Sequence, residues 1–218
     1  MFSEEQHTLY YAARAREYDA SVGYGKAPVE AALMPLKLRL AAALDGLDVL
    51  EIACGTGYWT QVAAKVARSM LAVDFDAVSL TLAQNRLAAQ DHVSFHRADA
   101  YRLDGVPSRF NGAFGMFWWS HMPHTRIAQF IDALHGKLEP GAHVVFADQL
   151  PYAHSGPRHI DDGDLVEERA LFDGTRFEVV KNFPTAQQMS NMLAGRASGF
   201  EYETDPQGRW WLASYRTV

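Results

Sequence analysis

The sequence predicts an α/β protein: a doubly wound, mostly parallel sheet of seven strands, finished by an antiparallel C-terminal pair. Three observations predict it. Short apolar runs alternate with helical segments through residue 150; acidic residues follow the first three of those runs; and the tail changes to strands bounded by turn residues. Right-handed crossovers turn such an alternation into a doubly wound sheet, whose ligands bind beyond the carboxyl ends of the strands.

The elements follow in order. Residues 8–20 have helical character, broken by Gly23, Gly25 and Pro28. Residues 35–44 read as a short helix ending near Gly46. The run 47–53 is a buried strand leading into Gly55-Thr56-Gly57, and 58–68 is helical, with Val62, Ala63 and Val66 as its apolar positions. A strand at 70–73, a helix at 77–90 rich in good helix formers, and an alternating strand at 92–98 come next. The strand 110–118, the helix 126–138 and the strand 142–147 complete the parallel part. In the tail, 164–172 and 175–183 are strand-like runs joined at Asp173-Gly174, a hairpin signal. A helix at 184–193 begins on Pro184, and strands 200–204 and 210–215 flank the turn Asp205-Pro206-Gln207-Gly208.

Composition narrows the function. The chain has 218 residues, with 20 Lys and Arg against 26 Asp and Glu, and both the first 150 residues and the remainder are acidic. Without a basic patch to neutralise phosphates, nucleic-acid binding is disfavoured. Cys54 is the lone cysteine, so no internal disulfide forms. The polar, acidic start is unlike a signal peptide, and no apolar run approaches the ~20 residues of a membrane span. A cytoplasmic location is the expectation.

The residues just after the strands carry the chemistry. Glu51 closes the first strand, and Gly55 and Gly57 follow it, where the lack of a Cβ permits a sharp turn and close approach of a ligand. Asp74, 23 residues after Glu51, ends the second strand, where an acid accepts hydrogen bonds from ribose hydroxyls. Asp99 follows the third. Helix capping explains Asp76 or Asp99 singly, but less well the whole set. A nicotinamide dinucleotide, the alternative ligand, brings a pyrophosphate and wants a third glycine, where this chain has Thr60. Glu51 would repel a pyrophosphate and attract an ammonium. A phosphate-free nucleoside bearing an amino acid and a sulfonium, S-adenosylmethionine, suits this edge better.

These segments resemble class I S-adenosylmethionine-dependent methyltransferases, of the small-molecule branch near the ubiquinone/menaquinone-biosynthesis type. Residues 51–57 resemble the first motif, Val73-Asp74-Phe75-Asp76 the acidic loop after strand two, and Asp99-Ala100 the adenine-contacting motif. Residues 110–114 and Leu138-Glu139-Pro140-Gly141-Ala142 resemble the fourth-strand motif and the turn before strand five. The departures are Ala53 for the first motif glycine, Asn111 for Asp and Ala142 for Gly. The resemblance implies a Rossmann-like fold and a single domain: a lid over 1–30, a cofactor core over 45–150, and substrate-side and closing strands over 151–218. It implies that Glu51 acts near the methionine amino group and that Gly55 and Gly57 hold the methionine portion. Asp74 would bind the ribose, with Phe75 against adenine, and Asp99 and Ala100 would contact the adenine edge. Met116 and Phe117 would line the methionine side, and Tyr11 and Tyr18 would close over the cofactor.

Methyl transfer from a sulfonium needs positioning above all, and a general base only for an acceptor that must lose a proton. His121 is the favoured base, with a helix-capping role as its alternative; His124, Asp148 and His154 are further candidates. His121 and His124 do not complete a metal site; His154, His159, Asp161 and Asp162 are a second candidate set, for which a solvated loop is the favoured reading, and no metal is expected. Trp118, Trp119, Phe172, Trp210 and Trp211 are candidates for an acceptor pocket; adjacent tryptophans on a strand face opposite ways, so one of each pair points away from the core. Arg169 is a candidate partner for an acidic acceptor. The partner expected is a small-molecule methyl acceptor, with the chain a monomer or homodimer. The alternatives are an NAD(P)-dependent oxidoreductase, disfavoured also by the lack of a Tyr-x-x-x-Lys pair, and a non-catalytic cofactor-binding partner protein.

Overall fold

The computed structural model describes residues 4–153 and 158–218. Among the described residues, ten strands alternate with helices: α1 (Glu4–Arg14), α2 (Tyr18–Val22), α3 (Ala27–Leu44), β1 (Asp48–Ile52), α4 (Thr60–Ala63), β2 (Ser69–Asp74), α5 (Ala77–Arg86), β3 (Val93–Arg97), β4 (Phe110–Met116), α6 (Ile127–His135), β5 (Leu138–Gln149), β6 (Arg158–Asp161), β7 (Asp164–Ala170), β8 (Arg176–Val180), α7 (Ala186–Leu193), β9 (Ala197–Thr204) and β10 (Trp210–Thr217). Seven of them form the main sheet, in the order β3-β2-β1-β4-β5-β10-β9. The first five are parallel, and β10 lies antiparallel to both β5 and β9, as the sequence predicts.

Chain order reverses between β1 and β4, which pair side by side, so the switch point lies at the ends of these two strands. Period-two alternation splits the core over two faces. Leu50 and Ile52 pack with Phe130 and Phe146 on one face, beneath α6 and α7. Val49 packs with Phe114 and the α3 leucines Leu36, Leu40 and Leu44 on the other. Among the described residues no helix is long and apolar enough to cross a membrane.

Several elements differ from the sequence reading. Helix α3 starts at Ala27, eight residues before the expected 35, because Pro28 sits in its first turn, where a missing amide costs nothing. Pro35 lies inside this helix, which continues past it on the buried stripe Leu33, Leu36, Leu40 and Leu44. The expected 8–20 helix is two helices, with Glu17 between them and Gly23 ending the second at φ 85°. Only Thr60–Ala63 of the expected 58–68 helix is α-helical; the chain beyond is drawn back to β1, where Arg68 donates to the Leu47 carbonyl at 2.8 Å.

The tail holds a second, antiparallel sheet in the order β6-β7-β8. The hairpin at Asp173-Gly174 joins β7 to β8 as expected, but β6 falls where a solvated loop was expected. Asp162 and Gly163, at φ 49° and 85°, make the two-residue turn that Asp-Gly favours. The small sheet leans on α1 through Tyr10 and Phe177, whose rings are 5.6 Å apart.

Candidate active site

The carboxyl ends of β1 to β4 open onto a cavity of about 350 Å³, a size typical of small-molecule sites. Glu51, Gly55, Asp74, Phe75, Asp99 and Ala100 all line it, as do Met116, Phe117, Tyr11, Tyr18 and His121. Gly57 does not. At φ +80°, its absent Cβ would meet Ala83 Cα at 2.9 Å, so this glycine admits α5 against the turn.

The turn after β1 is strained and tied. Ala53, standing where the family motif has glycine, takes φ 52°, in the left-handed region. Phe117, at the end of β4, takes φ 57° on the same cavity wall. Such outliers concentrate where a site dictates the backbone. The Asp74 carboxylate accepts from the Gly55 and Asp76 amides, each at 2.8 Å, so it builds the turn as well as bordering the cavity. Burial lifts its pKa to about 6 against those two amides. Asp76 caps α5 by accepting from Ser79 N at 2.7 Å, and Asp99 accepts from the Tyr101 amide at 2.9 Å.

Glu51 is different. It is 2 % exposed, and its Oε2 has no hydrogen-bond partner among the described residues. Burial lifts its pKa to about 8, opposed in part by the neighbouring Thr60 hydroxyl. A buried acceptor without a donor is costly unless a ligand satisfies it. An ammonium fits that need and a pyrophosphate does not. The acids along this edge and the orphaned Glu51 oxygen therefore suit S-adenosylmethionine.

The N-terminal segment covers the cavity. Thr56 Oγ1 donates to Asp19 Oδ1 at 2.6 Å, and Arg86 pairs with the other Asp19 oxygen, fastening α2 to the glycine turn. The Tyr24 ring stacks on Tyr58 at 3.5 Å, and its hydroxyl accepts from the Trp59 indole at 3.2 Å. Burial raises the hydroxyl pKa of Tyr11 and Tyr18, keeping both neutral.

A second cavity of about 180 Å³ adjoins the first, and Tyr11, Tyr18, Tyr24, Phe117 and His121 line both. His121 Nδ1 lies 2.8 Å from the Val180 carbonyl, which only accepts, so Nδ1 is the donor of this hydrogen bond. Its ring meets Tyr11 edge to face at 5.2 Å. His121 therefore ties the 3-10 turn Trp119–His121 to β8 and does not act as a helix cap.

The other candidates separate. Asp148 is fully buried, accepting from Ser120 N and Oγ and pairing with Lys181 Nζ at 3.1 Å, which leaves it no freedom as a base. His124 pairs with Asp164 at 2.5 Å. His154 lies outside the described residues. Among those described, no group of three or more His, Cys, Asp or Glu is placed to hold a metal. Trp119 and Trp211 enter the core, with rings 6.4 Å apart, while Trp118 lines the first cavity and Trp210 the second. Phe172 is 70 % exposed and contributes to neither. Sequence reasoning missed Tyr24, Arg14 and Lys181. The signal for Lys181 was available: a lysine continuing the apolar end of a strand at Val179-Val180.

A family model described as "Methyltransferase domain" matches residues 49–141. Two curated relatives are demethylmenaquinone methyltransferases. That of Lactiplantibacillus plantarum is 32% identical over 103 residues, 44% of this chain and 43% of the relative. That of Clavibacter sepedonicus is 29% identical over 110 residues, 50% and 44% of the two chains. The matched part thus spans less than half the length of either relative. Among solved structures, a DhpI–SAH complex is similar with a TM-score of 0.75 and 30% identity, over 98% of this chain and 96% of that one. A DhpI–SAM–HEP complex has a TM-score of 0.78 and 29% identity, over 99% and 100%.

Proposed function

This chain belongs to the class I S-adenosylmethionine-dependent methyltransferases, and from that premise we propose that it methylates a small-molecule acceptor held in the second cavity. The observation that carries the reading is the buried, unpartnered Glu51 oxygen on the larger cavity, a receptor for the methionine ammonium. Asp74 takes the ribose hydroxyls with the acceptor capacity its two amide bonds leave free, since each carboxylate oxygen has two lone pairs. Phe75 lies against the adenine, Asp99 accepts from its amino group, and the Ala100 amide donates to its ring. Met116 and Phe117 border the sulfur, and the segment 1–30, carrying Tyr11 and Tyr18, closes over it.

Bound there, the cofactor supplies an electrophilic methyl group on a neutral leaving thioether. The chain supplies alignment: Phe117, Tyr11 and Tyr18 form a wall shared by the two cavities, between cofactor and acceptor. For an acceptor that must lose a proton, His121 Nε2 would take it, while Nδ1–H stays on the Val180 carbonyl. One chain lines both cavities, so a single copy holds a complete site.

Titration calorimetry tests the reading. S-adenosylmethionine and S-adenosylhomocysteine are expected to bind at one site, with Glu51→Gln weakening the former about 10- to 100-fold, the range for an unmade charged hydrogen bond. Binding of NAD without S-adenosylmethionine would overturn it in favour of an oxidoreductase. Cofactor binding without turnover over a broad acceptor panel would favour the non-catalytic partner.

A further inference from the structure

Resting on the methyltransferase reading above, we propose that the acceptor is a small organic anion whose oxyacid group is received in the second cavity by Arg169 and Arg14. The two cavities share a wall but carry opposite charge. The first is lined by Glu51, Asp74, Asp76 and Asp99, with Arg126 its one arginine or lysine among the described residues. The second is lined by Arg14, Arg169, Lys181 and Arg209, with no Asp or Glu among the described residues. This segregation occurs in a chain where acids outnumber bases 26 to 20, so a random surface would show the reverse.

Local partners reduce the charge without removing it. Lys181 is matched by Asp148, and Arg209 by Asp205. Arg169 shares the fully buried Glu167 with Arg158, at 2.7 and 2.5 Å, so two guanidinium groups face one carboxylate. Arg14 sits over the Tyr10 and Tyr18 rings at 5.5 and 4.8 Å and donates to Ser21 Oγ at 2.9 Å, with no ion-pair partner among the described residues. Two positive charges therefore stay uncompensated around an aromatic cavity. A carboxylate or phosphate matches the planar guanidinium fork and compensates them. A neutral ring acceptor would leave Arg14 partly desolvated without a counter-charge, and Arg158 and Arg169 with a single carboxylate between them. At about 180 Å³, half the volume of the first, the cavity suits a small acid. The geometry thus opposes charges across one wall: acids toward a cationic cofactor, arginines toward an anionic acceptor.

The test uses the S-adenosylhomocysteine-loaded protein and calorimetry with benzoate, phenyl phosphate and neutral benzamide as probes. The anions are expected to bind at least tenfold more tightly than benzamide, and the ratio of benzoate to phenyl phosphate distinguishes a carboxylate from a phosphate group. Arg169→Gln and, separately, Arg14→Gln should each cut anion affinity about tenfold, leave benzamide unchanged, and keep S-adenosylhomocysteine affinity within twofold. Arg14 lies outside the Glu167 cluster, so its variant stays informative if Arg169→Gln fails to fold. Benzamide binding as well as the anions, no anion binding below millimolar concentration, or an unaltered preference in the folded variants would overturn the proposal. Failure of S-adenosylhomocysteine to bind at all would instead overturn the methyltransferase reading.

Discussion

The Gly55 amide donates to Asp74 Oδ2 at 2.8 Å, across the 19 residues that separate the end of β2 from the glycine turn. Asp74 thus builds the turn, and in the proposed reading it also takes the ribose, so its removal should have two effects. Asp74→Ala is expected to weaken S-adenosylmethionine binding by about 1–3 kcal/mol, the range for leaving polar partners unsatisfied, and to lower the melting temperature of the free protein. Asp74→Asn keeps one carbonyl acceptor and should fall between. Calorimetry and thermal unfolding separate the effects: lower stability with an unchanged dissociation constant would confine Asp74 to building the turn.

Glu51 makes cofactor binding and stability depend on pH in opposite senses. Its carboxyl titrates near 8 in the folded protein, against 4.5 when unfolded, because it is buried. Between those values the folded state holds the extra proton, so stability of the free protein falls as pH rises through that window. Asp74, raised to about 6, adds to its lower part. An ammonium beside Glu51 favours the carboxylate and expels the proton. Affinity for S-adenosylmethionine should therefore rise between pH 6 and 7.5, by at most about tenfold per unit, with proton release visible in buffers of different ionisation enthalpy. Glu51→Gln should flatten this dependence; a slope persisting in that variant would assign it to another group.

The sheet was legible because each central strand is an apolar run buried on both faces, as in β4 and β5. The acids along the larger cavity were legible because they sit immediately after strands, a local signal. What was missed depends on contacts between distant segments. The second cavity joins Arg14 and Tyr24 near the start of the chain to Arg169, Lys181 and Arg209 in the tail, and no spacing announces that meeting. Gly57 was assigned to the ligand because a glycine's need for space is visible in sequence, whereas the neighbour that fills the space, Ala83 on α5, is not. Strand β6 carried the signal that revealed the next hairpin, an Asp-Gly pair at 162–163, masked by the charged residues around it.

Gly55 and Gly57 should respond differently to alanine. At Gly57 the new methyl would lie 2.9 Å from Ala83 Cα at φ +80°, combining overpacking with left-handed strain, and about 2–4 kcal/mol of stability should be lost. At Gly55, with φ +55°, nothing lies within 4 Å, so the cost should be near 1–2 kcal/mol. Gly55 borders the larger cavity, proposed to hold the cofactor, and its alanine variant should weaken S-adenosylmethionine binding more than Gly57→Ala does. Urea unfolding and calorimetry on both variants provide the check, and the opposite ranking in stability would contradict the packing role of Gly57.

Lys181 and Asp148, 2 % and 0 % exposed, join the small sheet to the end of β5 at 3.1 Å. Lys181→Met strands a buried carboxylate that Ser120 alone cannot neutralise, and should cost about 3–5 kcal/mol. Adding Asp148→Asn should recover part of that loss, because the second change removes the uncompensated charge. Denaturant unfolding of both singles and the double gives the coupling, and near-additivity would show that the pair does not hold the two sheets together.

His121 separates chemistry from binding. It borders both cavities, and its Nδ1 lies 2.8 Å from the Val180 carbonyl, which leaves Nε2 as the nitrogen proposed to take the proton. His121→Ala should lower kcat by roughly 10²–10⁴, the usual contribution of a positioned general base, while S-adenosylmethionine affinity stays within about twofold. His121→Gln, which cannot take the proton, should not restore the rate, and the acidic limb of the pH–rate profile should vanish in both variants. An acceptor already ionised at neutral pH changes the expectation in a readable way: with no proton to remove, the loss shrinks to a positioning effect and wild type itself lacks the acidic limb. A small loss of kcat with that limb intact would instead leave His121 as a wall residue binding β8 to the end of β4.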